Sequence, residues 1–295
     1  MMKGIVLCGA AVLAGHAPGQ PPPSRDRTGV VAVDARVVDR NGRVVANLTA
    51  DDFEVRVDGL PRRIASLRYE TATLSELAST VLVAVDRQNL RMETSRATLD
   101  AAAAFVEAFS SSHAVGVIVL PEDTLRVAIG QPAAQAARAL RSLLGTYNPR
   151  MPMGEDELSA RSAIHRVLSV MSIVKGRRTV VWLADRMYDG ASTVDTARRA
   201  ALQSVAFYVM AADAPMMEAD DGVFDGLAGL AAASGGAFLR RSAGAAAVFD
   251  RLALELSGQY VLTFETEAGD AGRHNIRVRV KREGLDVRAR REFVK

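Results

Sequence analysis

Hydrophobic and polar positions change their rhythm twice along this chain. In the first stretch, VVAVDARVVDRNGRVV alternates apolar and polar residues around Asn41-Gly42. That dipeptide between alternating runs predicts a hairpin, because both turn residues tolerate positive φ. A strand over Phe53 to Val57, a turn at Asp58-Gly59 and one further strand ending near Tyr69 follow by the same logic.

From Thr80 the alternation gives way to near-continuous apolar runs separated by helical spacing. TVLVAVD predicts a buried strand and Glu93 to Ser110 an amphipathic helix; strands then fall at Val115 to Leu120 and Leu125 to Ile129. Helices follow near Ala133 to Leu144 and Glu157 to Val170, ahead of a second buried strand in RTVVWLAD. Helix (Val194 to Gln203), strand (Val205 to Met210), helix (Val223 to Ala233), the short strand AFLRR and helix Ala245 to Leu256 complete the series. Strands alternating with helices predict an α/β fold, a doubly wound, mostly parallel sheet with helices on both faces.

After Leu256 the β rhythm returns in YVLTFETE, HNIRVRV and LDVRARREF, with a turn at Glu283-Gly284. Ile276, Val278 and Val280 fall on one side of a strand while Arg277, Arg279 and Lys281 fall on the other. Neither flank alone has enough strands for a stable core. The two flanks are therefore expected to pair as a small all-β accessory element, with the α/β unit inserted between them. The boundaries expected are 29–72 and 258–295 for the β segments and 78–257 for the α/β domain.

The amino terminus changes the picture of where the chain works. MMKGIVLCGAAVLAGHAPGQ places one lysine before an apolar run and small residues after it, the layout of a secretory signal peptide. Cleavage after Gly19 is expected, leaving 20–28, with its three consecutive prolines, as an extended linker. The run from Ile5 to Ala14 is too short to span a bilayer, and no later segment is long enough. Secreted or periplasmic localisation follows. Cys8 is the sole cysteine, so the mature chain would have no disulfide, thiolate nucleophile or cysteine metal site. A net charge of +3 is too small to point to an anionic partner. Nucleic acid is disfavoured further by the lack of aromatics among the arginines of the tail.

In an open parallel sheet, ligands bind beyond the carboxyl ends of the strands near the switch in strand order. Asp86 follows the first strand of the α/β unit, Asp185 follows VVWLA, and Asp156 lies near the start of the helix opened by MGEDEL. The α/β unit resembles a von Willebrand factor type A domain, and the chain from about residue 29 onward resembles secreted bacterial proteins, widespread in acidobacteria, that carry one. The residues behind the resemblance are VVDRNGRVVANLTADDFEVRVDG, VLVAVD, VVWLAD and YVLTFETEAGDAGRHNIRVRVKREGLDVRAR.

That resemblance implies a metal-ion-dependent adhesion site: Asp-x-Ser-x-Ser after the first strand, a threonine in a second loop and an aspartate after the fourth strand. Such a site takes Mg²⁺ or another divalent cation, which keeps waters that a partner's carboxylate displaces. Asp86 matches the first aspartate and Asp185 the last. Gln88 and Leu90 stand where the serines would be, no threonine occurs in MPMGEDELSA, and Asp156 is the stand-in from that loop. Gln88 has an amide oxygen to offer and Leu90 has none. The expected metal ligands are thus Asp86, Gln88, Asp156 and Asp185 of a degraded site. The competing expectation is that Asp86 and Asp185 hydrogen-bond loop amides or cap helices.

Other signals add little. Glu218, Asp220 and Asp221 would sit on a loop at the same end of the sheet, or simply favour a helix start. The arginine row of the tail could meet acidic polysaccharide or lipid headgroups, or serve as a solvated edge. His113, His165 and His274 are not at metal-ligand spacing. Ser172-Ile173-Val174-Lys175 fits Ser-x-x-Lys, but no Lys-Thr-Gly or Ser-Asp-Asn follows. No nucleophile elbow, phosphate loop or dinucleotide fingerprint occurs. The expected function is a non-enzymatic interaction module that binds a protein or cell-envelope partner at the top of the sheet. The alternatives are an envelope-assembly component that pairs through its β flanks, and a metal-dependent hydrolase.

Overall fold

The computed structural model describes residues 29–71, 79–111, 113–122, 124–147, 156–185, 191–211, 222–241, 244–267 and 271–295. The segments expected to be signal peptide and linker lie outside these. Among the described residues no helix is long and apolar enough to cross a membrane.

The apolar runs form the strands β5 (Ser79–Asp86), β6 (Ala114–Leu120), β8 (Arg177–Leu183), β9 (Val205–Ala211) and β10 (Ala237–Arg240), with β7 (Thr124–Val127) beside them. They make one six-stranded sheet in the order β10-β9-β8-β5-β6-β7. All neighbours are parallel except β6 and β7. Because both faces of this sheet are covered, a strand such as β5 is buried along almost its whole length.

Among the described residues, three helices cover each face. On one side, α1 (Met92–Phe109), α2 (Ala133–Arg141) and α6 (Ala245–Leu256) pack Leu99, Leu140 and Leu252 against Val83 and Val117. On the other, α3 (Asp156–Ser172), α4 (Ala191–Leu202) and α5 (Gly222–Ser234) pack Ile164, Ala200 and Leu230 against Trp182 and Phe207.

The flanks supply β1 (Val30–Val38), β2 (Phe53–Val57), β3 (Leu60–Arg62) and β4 (Ile64–Thr71), then β11 (Gly258–Glu265), β12 (Arg273–Val280), β13 (Asp286–Ala289) and β14 (Glu292–Val294). They form two four-stranded sheets, β13-β1-β11-β4 and β14-β12-β2-β3. Each sheet draws strands from both flanks, and alternate residues such as Val33, Val55, Leu262 and Ile276 fill the space between them. Tyr260 fastens the crossing from one sheet to the other. Its hydroxyl accepts from Leu48 N–H at 3.0 Å and donates to the Val45 carbonyl at 2.8 Å.

The flanks depart from the sequence pattern in two ways. The Asn41-Gly42 turn forms, with Gly42 at φ 78, but its return arm joins β1 only through a Val38–Val44 bridge. The ladder on β1 is occupied by β11 and β13, so the arm is diverted across the core toward β2. Likewise, the single strand expected after Asp58-Gly59 changes sheet at Arg63. Arg62 pairs with Val55 in one layer, and Ile64 pairs with Phe264 in the other.

His113 lies just before β6, its ring stacked on Phe109 with centroids 3.9 Å apart. Burial, aided by the nearby Arg36 charge, pushes its pKa down to about 4. The unfolded chain would titrate this histidine near 6.5. Below that pH the unfolded state takes up the proton first, so the stability present at neutral pH is lost as pH falls from about 6.5 toward 4, by roughly 2 to 3 kcal/mol. Urea unfolding at pH 7.5 and 4.5 should show a smaller loss in His113→Phe than in the parent; equal losses would remove His113 as the cause.

Candidate functional site

The strand order reverses at β5: β6 and β7 continue on one side, while β8, β9 and β10 build out on the other. The switch crevice therefore opens beyond the carboxyl ends of β5 and β8, where ligands of open α/β sheets gather. These two strands are in register as far as Val85 opposite Leu183. That places Asp86, the last residue of β5, and Asp185, two residues past β8, at one rim. Both are buried, at 3% and 4% exposure.

Short-range bonds fix the rim. After Asp86 the chain makes a 3-10 turn over Arg87–Asn89, which brings the Asn89 side-chain amide back to donate to Asp86 Oδ2 at 2.9 Å. The Asn89 carbonyl accepts from the Asp185 N–H at 2.7 Å. Asp185 Oδ2 in turn accepts from the Arg91 N–H at 2.8 Å, just ahead of α1. Asn89 thus ties the two strand ends together through both its side chain and its backbone.

Arg241 supplies a buried positive charge at this rim. It follows β10, two strands away from β8, and its backbone N–H donates to the Ala211 carbonyl at 2.9 Å. The side chain crosses the end of β9, donating from Nη1 to the Met210 carbonyl at 3.1 Å, and its Nη2 pairs with Asp185 Oδ1. The Arg241 side chain is 5% exposed and that of Asp185 is 0% exposed. Such a pair is stable in the interior because the guanidinium's fixed fork satisfies several acceptors at once.

A second segment clamps the turn from outside. Thr146 N–H donates to the Arg87 carbonyl at 2.7 Å, and Tyr147 N–H to the Leu90 carbonyl at 3.1 Å. The Thr146 hydroxyl also reaches the Arg87 carbonyl, at 3.1 Å. This close approach requires glycine at 145, where a Cβ would lie 2.2 Å from the Leu90 carbonyl oxygen. Leu90 is wholly buried in the core, while Gln88 is exposed at the crest of the turn.

Among the described residues, those at this rim do not suit a divalent cation. Mg²⁺ requires about six oxygens in near-octahedral array. Here both Asp185 oxygens face N–H donors, Asp86 Oδ2 accepts an amide, and Leu90 offers no oxygen. A guanidinium bonded to Asp185 also repels a second cation. Among the described residues no three histidine, cysteine or acidic side chains gather as a metal would need. Asp156 opens α3, but its side chain lies outside the described residues, as do Glu218, Asp220 and Asp221.

Sequence reasoning missed Asn89 and Arg241. Arg241 had one signal: it leaves a parallel strand at the carboxyl edge, the position that singled out Asp86 and Asp185. The histidines serve separate elements. His165 Nδ1 lies 2.7 Å from Arg199 and His274 Nδ1 lies 2.7 Å from Asp58. Ser172 ends α3 and donates to the Ser169 carbonyl at 2.7 Å.

No protein-family model and no curated protein matches the chain. Among solved structures, an aerotolerance-related membrane protein from Bacteroides fragilis is similar at 15% identity, covering 61% of this chain and 98% of that one, with a TM-score of 0.42. BatB from Bacteroides thetaiotaomicron is similar at 18% identity over 60% of this chain and 98% of that one, with a TM-score of 0.43. Proximal thread matrix protein 1 of the mussel byssus is similar at 10% identity over 66% and 49%, also at 0.43. The topology given above rests on the chain's own hydrogen-bond register.

Removing one partner of the rim pair would leave the other charged and buried. Arg241→Met should cost about 3–5 kcal/mol of stability. Asp185→Leu combined with Arg241→Met should cost less than the sum of the two single changes in guanidinium chloride unfolding. Simple additivity would show that the pair is not coupled.

Proposed function

We propose that this chain is an exported, non-enzymatic interaction module of von Willebrand factor type A architecture, whose recognition face is the rim beyond β5 and β8 and which engages its partner without a divalent ion. The observation that carries this reading is the Arg241–Asp185 pair. It supplies within the fold the positive charge that an adhesion-site cation would bring, and it leaves the rim preassembled. The partner is a protein or envelope component, met by the crest at Gln88 and its neighbours. The step from architecture to function is analogy at the level of the fold. The signal-like first nineteen residues support export.

The alternative in which the β flanks pair with a partner strand has less behind it. Edge strands β3, β13 and β14 have three or four residues each, and Pro61 removes a donor from β3. Only β4, with eight residues, offers a long edge among the described strands.

The test is binding of the mature protein to envelope fractions of its own cells, in EDTA and in Mg²⁺, Mn²⁺ or Ca²⁺, with its thermal midpoint followed in parallel. Equal binding and an unchanged midpoint in all four conditions are expected, with binding lost in Gln88→Trp while the midpoint is retained. Binding or stabilisation that requires an ion would contradict the proposal.

A further inference from the structure

The outer face of the sheet β13-β1-β11-β4 does not meet solvent throughout; part of it lies against the amino-terminal ends of β8 and β9. Between them is a cavity of about 250 Å³, lined by Arg36, Arg68, Arg177, Arg178 and Arg290, with Asp34 as the one acidic lining residue among those described. The charges do not balance locally. Arg68 and Arg177 share the Glu70 carboxylate, and Asp34 lies 3.9 Å from Arg177. Arg178 donates to the Gln203 and Met171 carbonyls, while Arg290 donates to the Ser204 hydroxyl at 2.6 Å and the Ala32 carbonyl at 3.0 Å.

Arg36 has its guanidinium over the Tyr208 ring, 5.9 Å from the centroid. It is 8% exposed, and among the described residues it has no carboxylate within ion-pair distance. Its Nε has no hydrogen-bond partner there, and neither has Arg178 Nε. Burial holds the pKa of both Arg178 and Arg290 below the ordinary arginine value; at Arg290 the Asp34 charge opposes this and the Arg178 charge adds to it. Guanidinium groups crowded in a partly buried cavity repel one another unless an anion joins them.

We infer that this seam cavity binds a small tetrahedral oxyanion of the phosphate or sulfate type, held by Arg36, Arg178 and Arg290. The planar forks of arginine match the paired oxygens of such an anion. The hydroxyl-bearing residues Ser204 and Thr179 also line the wall. The bound anion would fix the sandwich against the α/β unit, because Arg36 belongs to the first and Arg178 to the second. The site lies at the opposite end of the six-stranded sheet from the Asp86–Asp185 rim and does not depend on its role.

The experiment is isothermal titration of the mature protein with inorganic phosphate and with sulfate, against sodium chloride at matched ionic strength. One saturable site for the oxyanions and none for chloride is expected, with a higher thermal midpoint in phosphate than in chloride. Arg36→Gln and Arg178→Gln should each weaken phosphate binding by roughly tenfold, the equivalent of one charge-assisted hydrogen bond. Equal responses to phosphate and chloride in the unmodified protein would overturn the site, whether or not the variants fold. Unchanged phosphate affinity in folded variants would overturn it as well.

Discussion

A guanidinium and a carboxylate, closed off together from water at the crest of a parallel sheet, constrain the rest of the rim. Separately, neither Arg241 nor Asp185 would tolerate its surroundings; together with the Met210 carbonyl and the Arg91 amide they are satisfied. Their pairing draws the ends of β8, β9 and β10 into one unit. Asn89 then extends that unit to β5 through its bonds to Asp86 and Asp185. A rim tied in this way has its two acids held by hydrogen bonds and an ion pair of the fold itself.

The molecule beneath this rim follows the same economy. Neither flank of the chain can close a core alone, so β11 lies between β1 and β4, and β12 lies against β2. The sandwich is therefore completed only after the inserted α/β segment has been crossed. The seam between the parts is polar: buried Glu70 with Arg177, Arg198 with Glu292 at 3.2 Å, and Glu255 with Arg288 at 4.0 Å. Ion pairs of this kind specify one placement more than they stabilise it.

Much of the α/β unit was legible in the sequence, because continuous apolar strands and amphipathic helices leave strong periodic traces. VLVAVD and VVWLAD gave strands leading into Asp86 and Asp185 for that reason. The flanks were less legible, since alternation identifies a strand but not the sheet it joins; the residues on either side of Arg63 look like one strand and serve two. At the site, adjacency of Asp86 and Asp185 followed from the switch in strand order. The role of Arg241 did not, because an arginine at the end of AFLRR has the local signature of an exposed residue. Its burial is a product of β10 and β8 flanking β9, a relation that no short stretch of sequence encodes. Gln88 and Leu90 did carry a readable message: a hydroxyl pair was absent, and the structure shows a buried leucine and a crest glutamine in its place.

The most direct test of this account is a crystal structure of the mature protein grown in excess Mn²⁺, with anomalous scattering collected near the manganese edge. The account predicts Arg241 density bonded to Asp185 and no anomalous peak between Asp86 and Asp185. A manganese peak at that position, with the Arg241 side chain displaced, would contradict it.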